Sequence, residues 1–178
     1  MRPAESPLGA LVLGHGAGGG VESADLVGAA AAASVVGLTV ALVEQPYRVA
    51  GRRSPAPAGQ LDAAWISVVR QLDFDVPLIA GGRSSGARVA CRTSVEVGAS
   101  AVLCLAFPLH PPGRPEKSRL AELDAVEVPT LVVQGERDPF GLPAAGPKRE
   151  VVTILGSHSL RSSSAVEAAV SAWLAALT

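Results

Sequence analysis

Aromatic residues are scarce in this chain: three Phe, two Trp and one Tyr, 3% of its 178 residues. The core must therefore be filled by Val, Leu, Ile and Ala, and 48% of the residues are hydrophobic. Side chains of that kind suit strands buried on both faces, which read as short apolar runs rather than as alternating ones. Charge is sparse as well, 17% of residues with a net of −1 and an isoelectric point near 6.3. That balance supplies neither a basic footprint for nucleic acid nor an acidic tail for a basic partner. Arg52 and Arg53 form a tight basic pair in what reads as a solvated loop. Long apolar runs are missing: Gly, Ser, Pro or a charge cuts each one well short of the roughly 18 residues of a membrane span. A mean hydropathy of +0.35 equally excludes a disordered chain. Cysteine occurs only as Cys91 and Cys104, in no CxxC or Cys/His grouping, so buried free thiols are expected. Met1 to Pro7 lacks the basic and apolar regions of a signal peptide, and the expected compartment is the cytoplasm. The length suits one domain over residues 1–178.

What the chain does have is a rhythm. Aliphatic runs at Ala10–Leu13, Leu38–Val43, Pro77–Ala80, Ala101–Ala106, Thr130–Val133 and Val151–Leu155 read as strands. Helical stretches lie between or after them, at Ser23–Val36, Gln60–Leu72, Ser85–Val97, Lys117–Leu123 and Ser163–Leu177. Strand alternating with helix predicts an α/β fold with right-handed crossovers, a mostly parallel sheet and helices on both faces. Glu44 to Gly59 (EQPYRVAGRRSPAPAG) fits no element and is expected at the carboxyl edge of the sheet, where such folds bind ligands. The Pro-rich loop Phe107 to Glu116 belongs at the same edge.

Gly82-Arg83-Ser84-Ser85-Gly86 reads G-x-S-x-G, after one strand and before a helix. A serine hydroxyl must project there from a sharp turn, and larger neighbours at the glycine positions would clash. Chance yields roughly 0.2 such matches in a chain of this composition, so the pentapeptide alone decides nothing. Its context is more specific. A serine nucleophile needs a base and an acid that orients the base, in the chain order Ser, Asp or Glu, His when the serine sits on this kind of elbow. Asp138 occupies the turn after the Thr130–Val133 strand, and His158 lies between the last strand and the last helix. The oxyanion hole then requires two backbone N–H groups. Ser85 is expected to give one, and Ala17 the other, from Gly14-His15-Gly16-Ala17-Gly18-Gly19-Gly20. That segment also fits a phosphate-binding G-x-G-x-x-G formally, with Glu44 as a distant acid. His15, Gly16, Gly18, Tyr47, Arg48 and His110 are the expected substrate-contacting residues, with His15 also read as a hydrogen-bonding support of its loop. The three histidines show no ligand spacing on one element, and neither metal nor cofactor is expected.

Together these segments resemble the small α/β-hydrolases related to dienelactone hydrolase, in the branch similar to the hydrolase-like domain of the KANSL and testis-expressed Tex proteins. The resemblance runs from about Leu11 to the C-terminus. It rests on LGHGAGGG at 13–20, PYRVAGRRSPAP at 46–57, GGRSSGARVA at 81–90, FPLHPPGRPEKSR at 107–119 and QGERDPFG at 134–141. It implies a minimal α/β-hydrolase fold, which the six runs fit, and Ser84, Asp138 and His158 as nucleophile, acid and base; the room between Ala106 and Thr130 suits loops and one short helix, so no lid domain is expected. Ser85 departs from the family, where a larger side chain such as Met is common, and no acidic residue precedes His158. The expected reaction is hydrolysis of a small acyl ester, lactone or thioester, with Arg48, Arg52 and Arg53 allowing for an acidic substrate. The other reading is a catalytically silent binding or assembly module on the same fold.

Overall fold

The aliphatic runs pair into one six-stranded sheet in the computed structural model, which describes residues 1–178 apart from Arg2, Glu5, Arg53 and Thr178. The strands are β1 (Gly9–Gly14), β2 (Leu38–Val43), β3 (Leu78–Arg83), β4 (Ala101–Leu105), β5 (Thr130–Gly135) and β6 (Arg149–Ile154). They lie in the order β2-β1-β3-β4-β5-β6, and every neighbouring pair is parallel. The helices are α1 (Ala24–Val35), α2 (Pro46–Val49), α3 (Ala58–Leu72), α4 (Ser85–Thr93), α5 (Leu120–Asp124) and α6 (Ser163–Leu177).

The burial of β1 shows why its sequence is uniformly apolar. Ala10 and Val12 join the core beneath α3 and α4, while Leu11 and Leu13 join the opposite core beneath α1 and α6. Each such Leu or Val taken out of water contributes about 1.5–3 kcal/mol. On α3, Leu61, Trp65 and Val69 are the buried residues, spaced to form one helical stripe against the sheet. Only α5 and irregular loops lie between β4 and β5, so no lid domain covers the sheet. Among the described residues no helix is long and apolar enough to cross a membrane.

The chain passes from β1 outward to β2 and then returns past β1 to β3. The loops leaving β1 and β3 therefore diverge, one to α1 on one face and one to α4 on the other, at the carboxyl edge where such folds bind ligands.

Several boundaries differ from expectation for local reasons. Helix α4 stops at Thr93 rather than Val97. The hydroxyls of Thr93 and Ser94 donate back to Val89 O and Cys91 O at 2.8 and 3.0 Å, and such bonds compete with helix propagation. The stretch 44–59 contains the four-residue α2, which Pro46 starts at its first position. Cys91 and Cys104 are buried free thiols with sulfurs 3.4 Å apart. Their mutual hydrogen bond, followed by burial, pushes the Cys104 thiol well above its ordinary range and keeps it protonated.

Candidate active site

Ser84 follows β3 directly, with φ 53° and ψ −110°. An L-residue holds such a backbone only under constraint. Part of the constraint is the Ser84 N–H, which donates to Leu105 O at the end of β4 at 2.9 Å. The rest is close packing of main chain. A β-carbon on Gly86 would lie 2.3 Å from Gly14 O, and one on Gly82 would lie 2.5 Å from the same atom. Both glycines of the pentapeptide thus let β1, β3 and the start of α4 meet backbone to backbone. Gly86→Ala is expected to destabilise the fold by about 3 kcal/mol, a fall in Tm of roughly 6–12 °C for a chain of this size. Thermal unfolding followed by circular dichroism checks this, and an unchanged Tm would refute the packing argument.

Three loops converge at this turn. Ser84 Oγ and His158 Nε2 are 2.9 Å apart, and His158 Nδ1 lies 2.9 Å from Asp138 Oδ2. Ser84 follows β3, Asp138 follows β5, and His158 sits between β6 and α6. The Asp138 side chain is fully buried, while that of His158 keeps 17% of its surface. Asp138 Oδ1 accepts the Phe140 N–H at 2.8 Å, and Oδ2 also accepts from Gln134 Nε2 at 2.8 Å. The Phe140 ring lies against the imidazole, centroids 4.1 Å apart and tilted by 32°. A carboxylate held at Nδ1 makes that nitrogen the donor and leaves Nε2 as the acceptor facing the hydroxyl. Such a chain can draw a proton from Ser84 as its oxygen attacks an electrophile.

The glycine loop after β1 lies beside the same turn. A β-carbon on Gly16 would come within 3.2 Å of Ser84 Cβ, so this residue lies next to the serine. Among the described residues, neither the Ala17 nor the Ser85 N–H is taken by another protein group. Gly18 is exposed further along the loop.

Two residues named as substrate contacts are buried supports, the role also expected of His15. His15 has no exposed surface; its Nδ1 pairs with Gly16 O at 2.7 Å, and its Nε2 accepts the Gln45 N–H at 2.9 Å. Both ring nitrogens are spent on backbone, so the imidazole fixes the loop and faces no ligand. Tyr47 is 4% exposed, and its hydroxyl donates to Gly16 O and Ala17 O at 3.4 and 3.3 Å. Burial pushes this phenol above its usual range against the opposing charge of Arg48, so it stays a donor beneath the loop. His110 packs on the turn after Asp138 instead of reaching Ser84: its N–H donates to Phe140 O and its Nδ1 pairs with Pro111 O, both at 2.9 Å. Arg48 and Arg52 are exposed, and Arg53 lies outside the described residues. No group of three or more His, Cys, Asp or Glu among the described residues is arranged to hold a metal ion.

Sequence reasoning singles out neither Arg83 nor its partner. The Arg83 Nε donates to the buried Asp25 at 2.8 Å, and its guanidinium also reaches His158 O at 3.3 Å. One side chain thereby ties the serine turn to the start of α1 and to the histidine loop. An acid in the first turn of α1, a common helix-end residue, gave no hint of that pairing.

A family model of the alpha/beta hydrolase domain matches residues 8–162. The chain belongs to this family. Comparison with curated proteins finds no match. Among solved structures, an alpha-beta serine hydrolase homologue from Coxiella burnetii has a TM-score of 0.75 at 18% identity, covering 97% of this chain and 88% of that one. Est1E from Butyrivibrio proteoclasticus, with ferulic acid bound, has a TM-score of 0.73 at 18% identity, covering 99% and 92%. A Xanthomonas campestris protein described as a serine hydrolase without lid has a TM-score of 0.68 at 20% identity, covering 97% and 86%. At these identities the likeness speaks for the fold. In the alpha/beta hydrolase domain of this chain, Ser84 lies at the turn after β3, beside the β1 loop.

Proposed function

We propose that this alpha/beta hydrolase is a serine hydrolase acting on a small acyl ester, lactone or thioester. The observation that carries the reading is the hydrogen-bonded chain Ser84–His158–Asp138, with both links at 2.9 Å and the serine on a strained strand-to-helix turn. Ser84 Oγ adds to the substrate carbonyl while His158 Nε2 takes its proton, and Asp138 stabilises the imidazolium that forms. The unengaged N–H groups of Ser85 and Ala17 receive the oxyanion, helped by the partial positive charge at the start of α4. Collapse of the intermediate expels the alcohol or thiol, which leaves with the proton from Nε2. A water molecule, deprotonated by the same nitrogen, then releases the acid and restores Ser84.

Support for small substrates comes from the short connection between β4 and β5, which holds α5 and loops and no lid domain. The motifs that resemble the dienelactone-hydrolase-like branch point the same way.

The test is labelling by a fluorophosphonate probe of the native chain, Ser84→Ala and His158→Ala. Covalent labelling of the native chain that vanishes in both variants is the expected result. An unlabelled but folded native chain would instead favour a silent binding module, and labelling retained in Ser84→Ala would move the nucleophile elsewhere.

A further inference from the structure

We infer that Gln134 is a positioning residue for this site: its amide fixes the Asp138 carboxylate and shares the charge that Asp138 directs at His158. The inference rests on the hydrolase reading above, since it assigns Gln134 a part in the same proton path.

Gln134 is the next-to-last residue of β5 and has no exposed surface. The residues before it, Leu131, Val132 and Val133, are fully buried aliphatics, and an aliphatic side chain would fill position 134 with no polar group to satisfy. The amide is instead engaged on one side only. Its Nε2 reaches Asp138 Oδ2 at 2.8 Å, Gly141 O at 2.9 Å and Phe107 O at 3.0 Å, while its Oε1 is buried with no partner among the described residues. All three neighbours of the nitrogen are acceptors, so the amide cannot turn over without setting oxygen against oxygen. A buried polar group left half-satisfied needs an explanation beyond packing, and the explanation lies in where the donor points.

Asp138 Oδ2 is the atom that also faces His158 Nδ1, and Oδ1 is already held by the Phe140 N–H. With Gln134 in place the carboxylate is gripped at both oxygens before the imidazole is counted. The same amide anchors Phe107 O, just beyond β4, the strand whose last carbonyl receives the Ser84 N–H. The acid and the serine are thus registered to one strand end. A neutral donor suits this place. Lysine would pair with Asp138 and withdraw its charge from His158, and an ionised glutamate would repel it.

The experiment compares the native chain with Gln134→Met, which keeps length and volume but lacks the donor, and with Gln134→Leu, which lacks it too and matches the aliphatic residues before it. The other charged group touching His158, the Arg83 guanidinium at its carbonyl oxygen, is unchanged in both. For Q134M acting on p-nitrophenyl acetate, kcat is expected to fall about tenfold, the worth of one hydrogen bond to a charged group, with KM nearly constant. The acid limb of the pH–kcat profile moves to higher pH, because a carboxylate no longer shared with the amide holds the imidazolium proton more firmly. Q134L moves that limb in the same direction and keeps the question decidable if Q134M does not fold. Independently of turnover, the His158 Nδ1 proton in the NMR spectrum is expected to shift downfield in Q134M. An acid limb and an Nδ1 resonance both unchanged from the native chain, with only the Tm altered, would overturn the inference. A native chain with neither turnover nor probe labelling would overturn the hydrolase reading, and the Nδ1 resonance would still decide the role of Gln134.

Discussion

Ser84→Ala is expected to lower kcat toward an activated ester by about 10⁵-fold, with the residual rate supplied by the oxyanion donors and binding alone. The size follows from the path: without Oγ no acyl-enzyme forms, and His158 Nε2 loses the hydroxyl that it contacts at 2.9 Å. Fold stability should move by only about 1 kcal/mol, the net worth of one half-exposed hydrogen bond. The backbone at φ 53° is held by the Leu105 carbonyl and by the glycines packed on Gly14, none of which needs the hydroxyl. Steady-state turnover of p-nitrophenyl acetate, read beside thermal unfolding, separates the two effects. A variant that keeps even a tenth of native activity would remove Ser84 from the mechanism.

Asp138→Asn is expected to cost about 10⁴-fold in kcat near neutral pH. Its magnitude comes from a conflict of donors. Native Asp138 accepts from the Phe140 N–H on Oδ1 and from Gln134 and His158 on Oδ2. Asparagine offers one oxygen for these two places. If the oxygen stays with Phe140, the new NH₂ meets the Gln134 NH₂ and forces His158 into the tautomer with a bare Nδ1. Nε2 then carries the proton and cannot accept one from Ser84. If the oxygen turns toward His158, the NH₂ faces the Phe140 N–H instead. Either arrangement buries an unpaired donor, so the Tm should fall as well. Turnover within tenfold of native would show that Asp138 does not orient the base.

The meeting of Ser84, Asp138 and His158 at one edge was legible in the sequence because each sits in a turn immediately after or between elements whose aliphatic runs are unmistakable. Their order along the chain carried the rest. The supports were harder to read for physical reasons. His15 was read as a support of its loop, but Tyr47 lies in a segment that reaches the functional edge, where a polar side chain looks the same in sequence whether it faces ligand or backbone. Only the fold shows that the carbonyls of Gly16 and Ala17 claim the Tyr47 hydroxyl. Arg83–Asp25 and Gln134–Asp138 depend on strand order, which the strand-helix rhythm leaves open. The α2 turn inside residues 44–59 was hidden by a run of Pro and Gly that is compatible with many loop shapes.

The return of the chain past β1 also bears on how reactivity arises during folding. Strand β1 is sandwiched between partners distant in sequence, pairing Ala10 with Thr39 on one side and with Leu78 on the other. Closing such non-local pairs makes folding slower than in domains built from local contacts. Until β1, β3 and β4 are zipped, nothing holds Ser84 in its left-handed backbone, and the nascent or unfolded chain carries there an ordinary serine with the nucleophilicity of any other. On the proposed reading, the hydroxyl's power to attack would be acquired with cooperative folding, and a chain only partly assembled would have no means to harm its surroundings through it.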